Sequence, residues 1–277
     1  MEQERRPHQH IFHPTDLSLS SKTAFQHAVA MAWSLGTKLT IMHVAGSDQV
    51  LREELPSVRS TLSTWGWTSP GREEEDLRSR GMAVRKILSR DRDPISACAH
   101  HLTRHPADLV VLHTHRHEGR VRWQERSVGE EIRRSTALPV LFFPEDCAGW
   151  LDPATGDGRA FKRVVLAVER PEDSEPLLKG LMAVPLNVSD PSIINMVHIR
   201  TATRAGSWGT GRPHVLQLIG PVVDTLVEAG RDADLLVFGT RRPKGPFDAL
   251  RGTTTEQVLR RCSCPLLALP LGASGGQ

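Results

Sequence analysis

Four short runs of apolar residues punctuate the chain: LVVL at 109–112, VLFF at 140–143, LLVF at 235–238 and LLAL at 266–269. None is long enough for a helix and none alternates, which is the pattern of strands buried on both faces. Upstream, 10–13 leans apolar and predicts a first strand. Ala24, Phe25, Ala28, Val29 and Ala32 then recur at helical spacing, with Ser18 or Ser20 as the cap and Gly36 as the stop. Residues 38–44 predict a second strand and 83–88 a third. Pro94 opens a further helix, where its missing N–H costs nothing. Strands alternating with helices predict a parallel sheet in a doubly wound α/β fold.

The pattern is written twice. Residues 107–144 align with 233–270 without a gap, at an offset of 126. Ala107, Asp108 and Leu109 match Ala233, Asp234 and Leu235; Thr114 and Arg116 match Thr240 and Arg242; Glu130, Arg134, Pro139 and Pro144 match Glu256, Arg260, Pro265 and Pro270. IFHPTD (11–16) resembles VVLAVE (164–169), and TIMHV (40–44) resembles NMVHI (195–199). Internal similarity of this kind predicts tandem units, 1–147 and 161–272, joined by a Gly/Pro/Asp-rich connector at 148–160. The copies differ after their second strands. The first has an insert at 44–83 long enough for a helix over part of 51–67. The second has only a short Gly-rich stretch from 199 to 214, which predicts that it lacks this helix and leaves its sheet less covered there.

In a doubly wound sheet, ligands bind beyond the carboxyl ends of the strands, where strand order reverses. The loop after the fourth strand falls there. In the second copy it carries Gly239, Arg242 and Gly252-Thr253, spaced G-x2-R-x9-G-T. Glycine lets backbone N–H groups approach an anion, and a helix starting near Thr253 would aim its N-terminal dipole at the same place.

With these motifs the tandem units resemble universal stress protein domains over almost the whole chain. The family signature, G-x2-G-x9-G-[ST], follows an apolar strand, as DLLVFG (234–239) does here, and 14–44 resembles the family's first strand, helix and second strand. The resemblance implies two Rossmann-like domains with mostly parallel five-stranded sheets and an adenine-nucleotide site, with ATP as the ligand. In that family the acidic residue closing strand one contacts the adenine, and residues closing strand two line the base pocket. Carried onto this chain, the second-copy site is Val168, Glu169, Ile199, Gly239, Arg242, Gly252 and Thr253. The first copy keeps Asp16, Val44 and Ser127, but His113, Arg116 and Arg126 stand where the family has glycine, so its site is read as lost. For the second copy two readings stay open: a nucleotide site in which Arg242 pairs with phosphate, or a drifted site whose glycines serve only the turn. The resemblance also implies a pseudo-dimer of the two domains, paired through the last strands 140–143 and 266–269, with a homodimer of chains open. The function expected is a non-enzymatic, cytoplasmic stress-response protein. A slow ATP hydrolase and a scaffold without nucleotide are the alternatives.

Composition narrows the field. With 277 residues and a net charge of +3, the chain has no Lys/Arg block that would suggest nucleic-acid binding. No run approaches a membrane span, and the first residues lack a signal-peptide core. Four cysteines do not make a disulfide framework, and Cys262-Ser-Cys264 lacks the second pair of a metal site. His113, His115 and His117 alternate at a spacing that suits metal ligands, but Arg116 among them would repel a cation, so no metal is expected. The arginines at 120–134 and REEED at 72–76 are read as solvated faces, Trp65 and Trp67 as cover for the sheet or an interface, and His43 and His198 as structural. Neither a G-x-S-x-G elbow nor a P-loop is present.

Overall fold

The computed structural model describes residues 10–45, 54–114, 138–186, 188, 190–200, 215–240 and 254–271. Two compact units emerge, Met1–His113 with Leu151–Arg159, and Thr114–Trp150 with Ala160–Gln277.

The first unit runs β1 (His10–Pro14), α1 (Ser21–Leu35), β2 (Lys38–Val44), α2 (Val58–Thr64), α3 (Glu73–Arg80), β3 (Ala83–Ser89), α4 (Pro94–Arg104) and β4 (Leu109–Thr114). Its strands lie in the order β3-β2-β1-β4, all parallel. Successive side chains of a strand point to opposite faces. Phe12 stacks on His101 of α4, while His13 meets Phe25 of α1. The two helices therefore cover opposite faces of the sheet, which makes the unit doubly wound. Gly36 ends α1 in the left-handed conformation, with φ of 59°. Pro94 begins α4 behind Asp93, whose carboxylate accepts from the N–H groups of Ile95 and Ser96. The insert contains α2, as predicted, and also α3, which the charge run at 72–76 had concealed. A helix forms there because Glu73, Glu74, Glu75 and Asp76 fill its first turn, favourable to the helix dipole, while Leu77 is buried. The pairs Arg78–Glu74 and Arg59–Glu74 are exposed and add little.

Residues 151–159 fold onto this unit instead of hanging free. A bridge joins Leu151 to Gly158, and the Pro153 carbonyl accepts from both Trp65 Nε1 and Gln26 Nε2 at 3.1 Å. Gly156, with φ of +73°, lies against two indoles: a Cβ there would be 2.4 Å from Trp65 and 2.9 Å from Trp67. Trp65 and Trp67 thus hold the connecting segment. Gly156→Ala is expected to cost about 1–3 kcal/mol through overpacking and a strained φ. A red-shifted tryptophan emission together with a lower denaturation midpoint is the expected signature, and wild-type values for both would refute the assignment.

The second unit contains β5 (Val140–Pro144), β6 (Val164–Ala167), α5 (Ser174–Ala183), β7 (Ile194–Arg200), β8 (Val215–Ile219), α6 (Val222–Gly230), β9 (Leu235–Thr240), α7 (Thr254–Leu259) and β10 (Leu266–Pro270). The order is β5-β10-β9-β6-β7-β8, parallel except for β5. The second repeat thus supplies its five parallel strands, and the last strand of the first repeat adds a sixth, antiparallel one. The register of that pairing is informative. Leu141 faces Leu267, its own equivalent in the other repeat, flanked by Phe142↔Leu266 and Val140↔Ala268. Like strands thus meet about a local twofold, the geometry of a self-complementary contact. Here too the sheet is covered on both faces. Gly239 packs on Leu177 of α5, and Leu236, on the opposite face, lies beside Gly230 of α6. The stretch 201–214, where the missing helix was predicted, lies outside the described residues.

Candidate nucleotide-binding crevice

Each unit reverses its strand order once, between β1 and β4 and between β6 and β9. In the second unit Leu166 pairs with Val237 and Ala167 with Phe238. Val168 and Gly239, one residue further on, therefore stand side by side at the carboxyl ends. On the other flank Ala167 pairs with Val197, which brings Ile199 to the same end. Glu169 is exposed beside them, and Ile199 is half-buried. Arg242, Gly252 and Thr253 lie outside the described residues, as does Ser127 of the first repeat. α7 begins at Thr254 and is short.

The backbone at this tip is held by a duplicated device. Val168 N–H donates to the Val197 carbonyl at 2.8 Å, and His198 Nδ1 donates to the Val168 carbonyl at 2.9 Å. In the first repeat Thr15 N–H donates to Met42 at 2.9 Å, and His43 Nδ1 donates to the Thr15 carbonyl at 2.8 Å. A strand-two histidine thus clamps the residue closing strand one in both copies. At the opposite end of the sheets, Asp108 Oδ2 accepts the His10 N–H at 2.7 Å, and Asp234 Oδ2 accepts those of Lys162 and Arg163 at 2.7 and 3.0 Å. The matched Ala-Asp-Leu triplets therefore cap strand one from the start of strand four. Sequence alignment exposed the match but not its purpose.

In the first repeat the residue after the strand-one tip organises its own turn. Asp16 is exposed, and its Oδ1 accepts from the Ser18 N–H and hydroxyl at 3.0 and 2.7 Å, so the carboxylate organises its own turn. Val44 is half-buried at the end of β2, and His113 half-buried near the end of β4. His115, His117, Arg116 and Arg126 lie outside the described residues. Behind this end of the sheet lies a histidine that the sequence offered only as one more imidazole near the start of the chain. His13 is fully buried, and its Nδ1 donates to the Val111 carbonyl at 2.8 Å. Burial holds its pKa down at about 4, against that hydrogen bond and the charge of Asp16, so the ring is neutral.

Gly239 tests whether the second crevice fits a nucleotide. A Cβ at this position would lie 2.4 Å from Leu271 Cδ1 and 3.0 Å from Leu177 Cδ2. Leu271 is fixed there by its N–H to the Thr240 carbonyl at 2.9 Å. The glycine thus admits two leucine side chains beside the tip of β9.

Cys262 and Cys264 bring their sulfurs to 3.2 Å, and both are buried. The hydrogen bond with Cys262 and burial raise the Cys264 pKa, and burial pushes Cys98 up to about 12, so the Cys264 and Cys98 thiols stay protonated at neutral pH. Among the described residues no group of three or more His, Cys, Asp or Glu is placed to hold a metal ion, and no helix is long and apolar enough to cross a membrane.

A parallel sheet with one strand-order reversal in each half is a doubly wound α/β architecture, one that many families share. The chain matches the universal stress protein family over residues 7–144 and 202–270, and it belongs to that family as a tandem member. Two solved structures are similar in fold over nearly its whole length. One is a universal stress protein from Archaeoglobus fulgidus DSM 4304, 13% identical, covering 96% of this chain and 97% of that one with a TM-score of 0.56. The other is a functionally unknown protein, PA1789, from Pseudomonas aeruginosa PAO1, 13% identical, covering 96% and 94% with a TM-score of 0.59. No curated protein matches the chain.

Proposed function

We propose that this tandem universal stress protein is a non-enzymatic, cytoplasmic stress-response regulator whose second repeat binds an adenine nucleotide. The observation that carries the reading is the convergence of Val168, Ile199 and Gly239 on one strand-order reversal. The G-x2-R-x9-G-T spacing adds the rest. Gly252 and Thr253 offer backbone N–H groups to the phosphates. Arg242 replaces the glycine of the signature with a guanidinium that pairs with them. The duplicated units are 1–147 and 161–272, joined at 148–160, and the β5–β10 register supports their pairing as a pseudo-dimer. ATP is the ligand to test first.

Isothermal titration of ATP into the wild type, Gly252→Arg and Arg242→Ala decides the matter. Heat from the wild type that Gly252→Arg abolishes supports the site, and at about 100 times Kd the ligand should add roughly 2.7 kcal/mol of stability. A silent wild type, or three identical isotherms, removes it. The packing of Leu177 and Leu271 over Gly239 favours a second reading, a scaffold whose glycine was retained for the fold. Under that reading ATP leaves stability unchanged.

A further inference from the structure

The turn that joins α7 to β10 alternates in burial. Arg260, Arg261 and Ser263 are exposed, whereas Cys262 is 1% exposed and Cys264 5%. Both ends of this turn are fixed. The Cys262 N–H donates to the Val258 carbonyl at 2.8 Å, which ties it to the end of α7. The Pro265 carbonyl accepts from the Leu236 N–H at 3.0 Å, which ties the residue after Cys264 to β9. One exposed serine spans the gap, and the two sulfurs meet at 3.2 Å. That is inside the roughly 3.5–4.0 Å at which smaller carbon atoms pack. Both sulfurs also converge on Gly230 of α6, where a Cβ would lie 3.4 Å from each. A thiol is a weak hydrogen-bonding group, so a contact this close contributes little to stability. What it favours is chemistry between the two sulfurs.

We propose that Cys262 and Cys264 form a dithiol–disulfide couple, a redox site in the second repeat whose oxidant is of the peroxide class. The Cys262 thiolate attacks one peroxide oxygen and the O–O bond breaks, leaving a sulfenic acid on Cys262 and, after protonation, one water. The Cys264 sulfur then displaces the sulfenic hydroxyl, the S–S bond forms, and the Cys264 proton leaves with that hydroxyl as a second water. Two thiols thus lose two electrons, and one hydrogen peroxide is reduced to two waters. The hydrogen bond with Cys262 and burial keep the proton on Cys264, which makes Cys262 the attacking sulfur and Cys264 the resolving one. Peroxide is small and uncharged, and it reaches sulfurs lying one residue beneath the surface when the turn opens locally. A disulfide closed over three residues is strained, and strained disulfides are the readily reduced, switchable ones. The inference stands whether or not the second repeat binds nucleotide.

Exposure of the folded full chain to hydrogen peroxide, followed by alkylation in denaturant and trypsin digestion, tests the couple directly. Cleavage after Arg261 puts Cys262 and Cys264 on one peptide, apart from those that carry Cys98 and Cys147. That peptide should emerge unalkylated and lighter by two hydrogens, and should revert on reduction with dithiothreitol. Its formation should quicken as pH rises and more thiolate is present. Cys98 and Cys147 should stay alkylated. Cys264→Ser should halt oxidation at a Cys262 sulfenic acid that dimedone traps, and Cys147→Ser should leave the disulfide yield unchanged. The wild-type measurement stands by itself if a variant fails to fold. Two alkylated thiols on the wild-type peptide after an exposure that fully oxidises dithiothreitol would overturn the proposal. So would a disulfide from either cysteine to Cys147, or oxidation to sulfinic acid with no disulfide formed.

Discussion

Phe142→Ala is expected to destabilise the second unit by about 3–5 kcal/mol, the cost of deleting a buried phenyl ring and leaving part of its cavity. Phe142 is 0% exposed and sits opposite Leu266 in the antiparallel β5–β10 pair. By sequence it belongs to the first repeat, so a chain whose repeats folded independently would lose stability in its first half. By packing, its loss falls on β10. Hydrogen exchange distinguishes these outcomes: the amides of Leu266–Pro270 should lose protection in Phe142→Ala. Phe12→Ala, an equally buried ring on β1 of the first unit, should cost a similar amount and spare them. A loss below about 1 kcal/mol, or unchanged protection in β10, would contradict the packing described.

The second large effect is acid lability. His13 and His27 are buried, and burial lowers both pKa values to about 4, against hydrogen bonds to the carbonyls of Val111 and Thr23. In the unfolded chain both titrate near their ordinary value of 6.5. Above that pH neither state binds the protons, and the full stability is present. As pH falls from 6.5 towards 4 the unfolded state takes them up and the folded state does not, so stability declines. The decline is about 3 kcal/mol for each ring by pH 4, and it then levels off. His101 shifts in the same direction, first by burial and then by the charges of His105, Arg85, His10 and Lys38, and adds to the trend. Urea titrations at intervals from pH 7 to 4 measure the slope. His27→Leu, on α1, should flatten it by about 3 kcal/mol while leaving stability at pH 7 little changed. A profile parallel to the wild type would show that His27 titrates in the folded state as it does in the unfolded chain, and would contradict the shift.

These two expectations differ in how much of them the sequence contained. The apolar run around Phe142 was legible as a strand because full burial on both faces removes every polar position from it. Its partner was not legible. Strand pairing is a contact between residues 126 apart, and nothing in VLFFP distinguishes β10 from any other buried neighbour. His13 reads as a polar residue on a strand. Only the fold reveals that α1 and β4 enclose it, which is what moves its pKa.

The candidate site divides the same way. Its location was legible, since β–α alternation dictates a reversal and the duplicated register places Gly239 at it. What stands over Gly239 was not, because Leu177 and Leu271 come from a helix upstream and from the residue after the last strand. The aspartates of the two Ala-Asp-Leu triplets were visible as a match, and their role as strand caps became visible only with the bonds to His10, Lys162 and Arg163.

Local order was therefore settled by the chain itself: which segments are strands, where Gly36 and Pro94 bound helices, and that the unit is written twice. Such features depend on backbone conformations and burial periods that extend over a few residues. Tertiary structure alone decided which strands meet at β5 and β10, which segment the indoles of Trp65 and Trp67 hold, and which histidines lose their water. Those outcomes depend on contacts between distant residues, whose energies no short stretch of sequence contains.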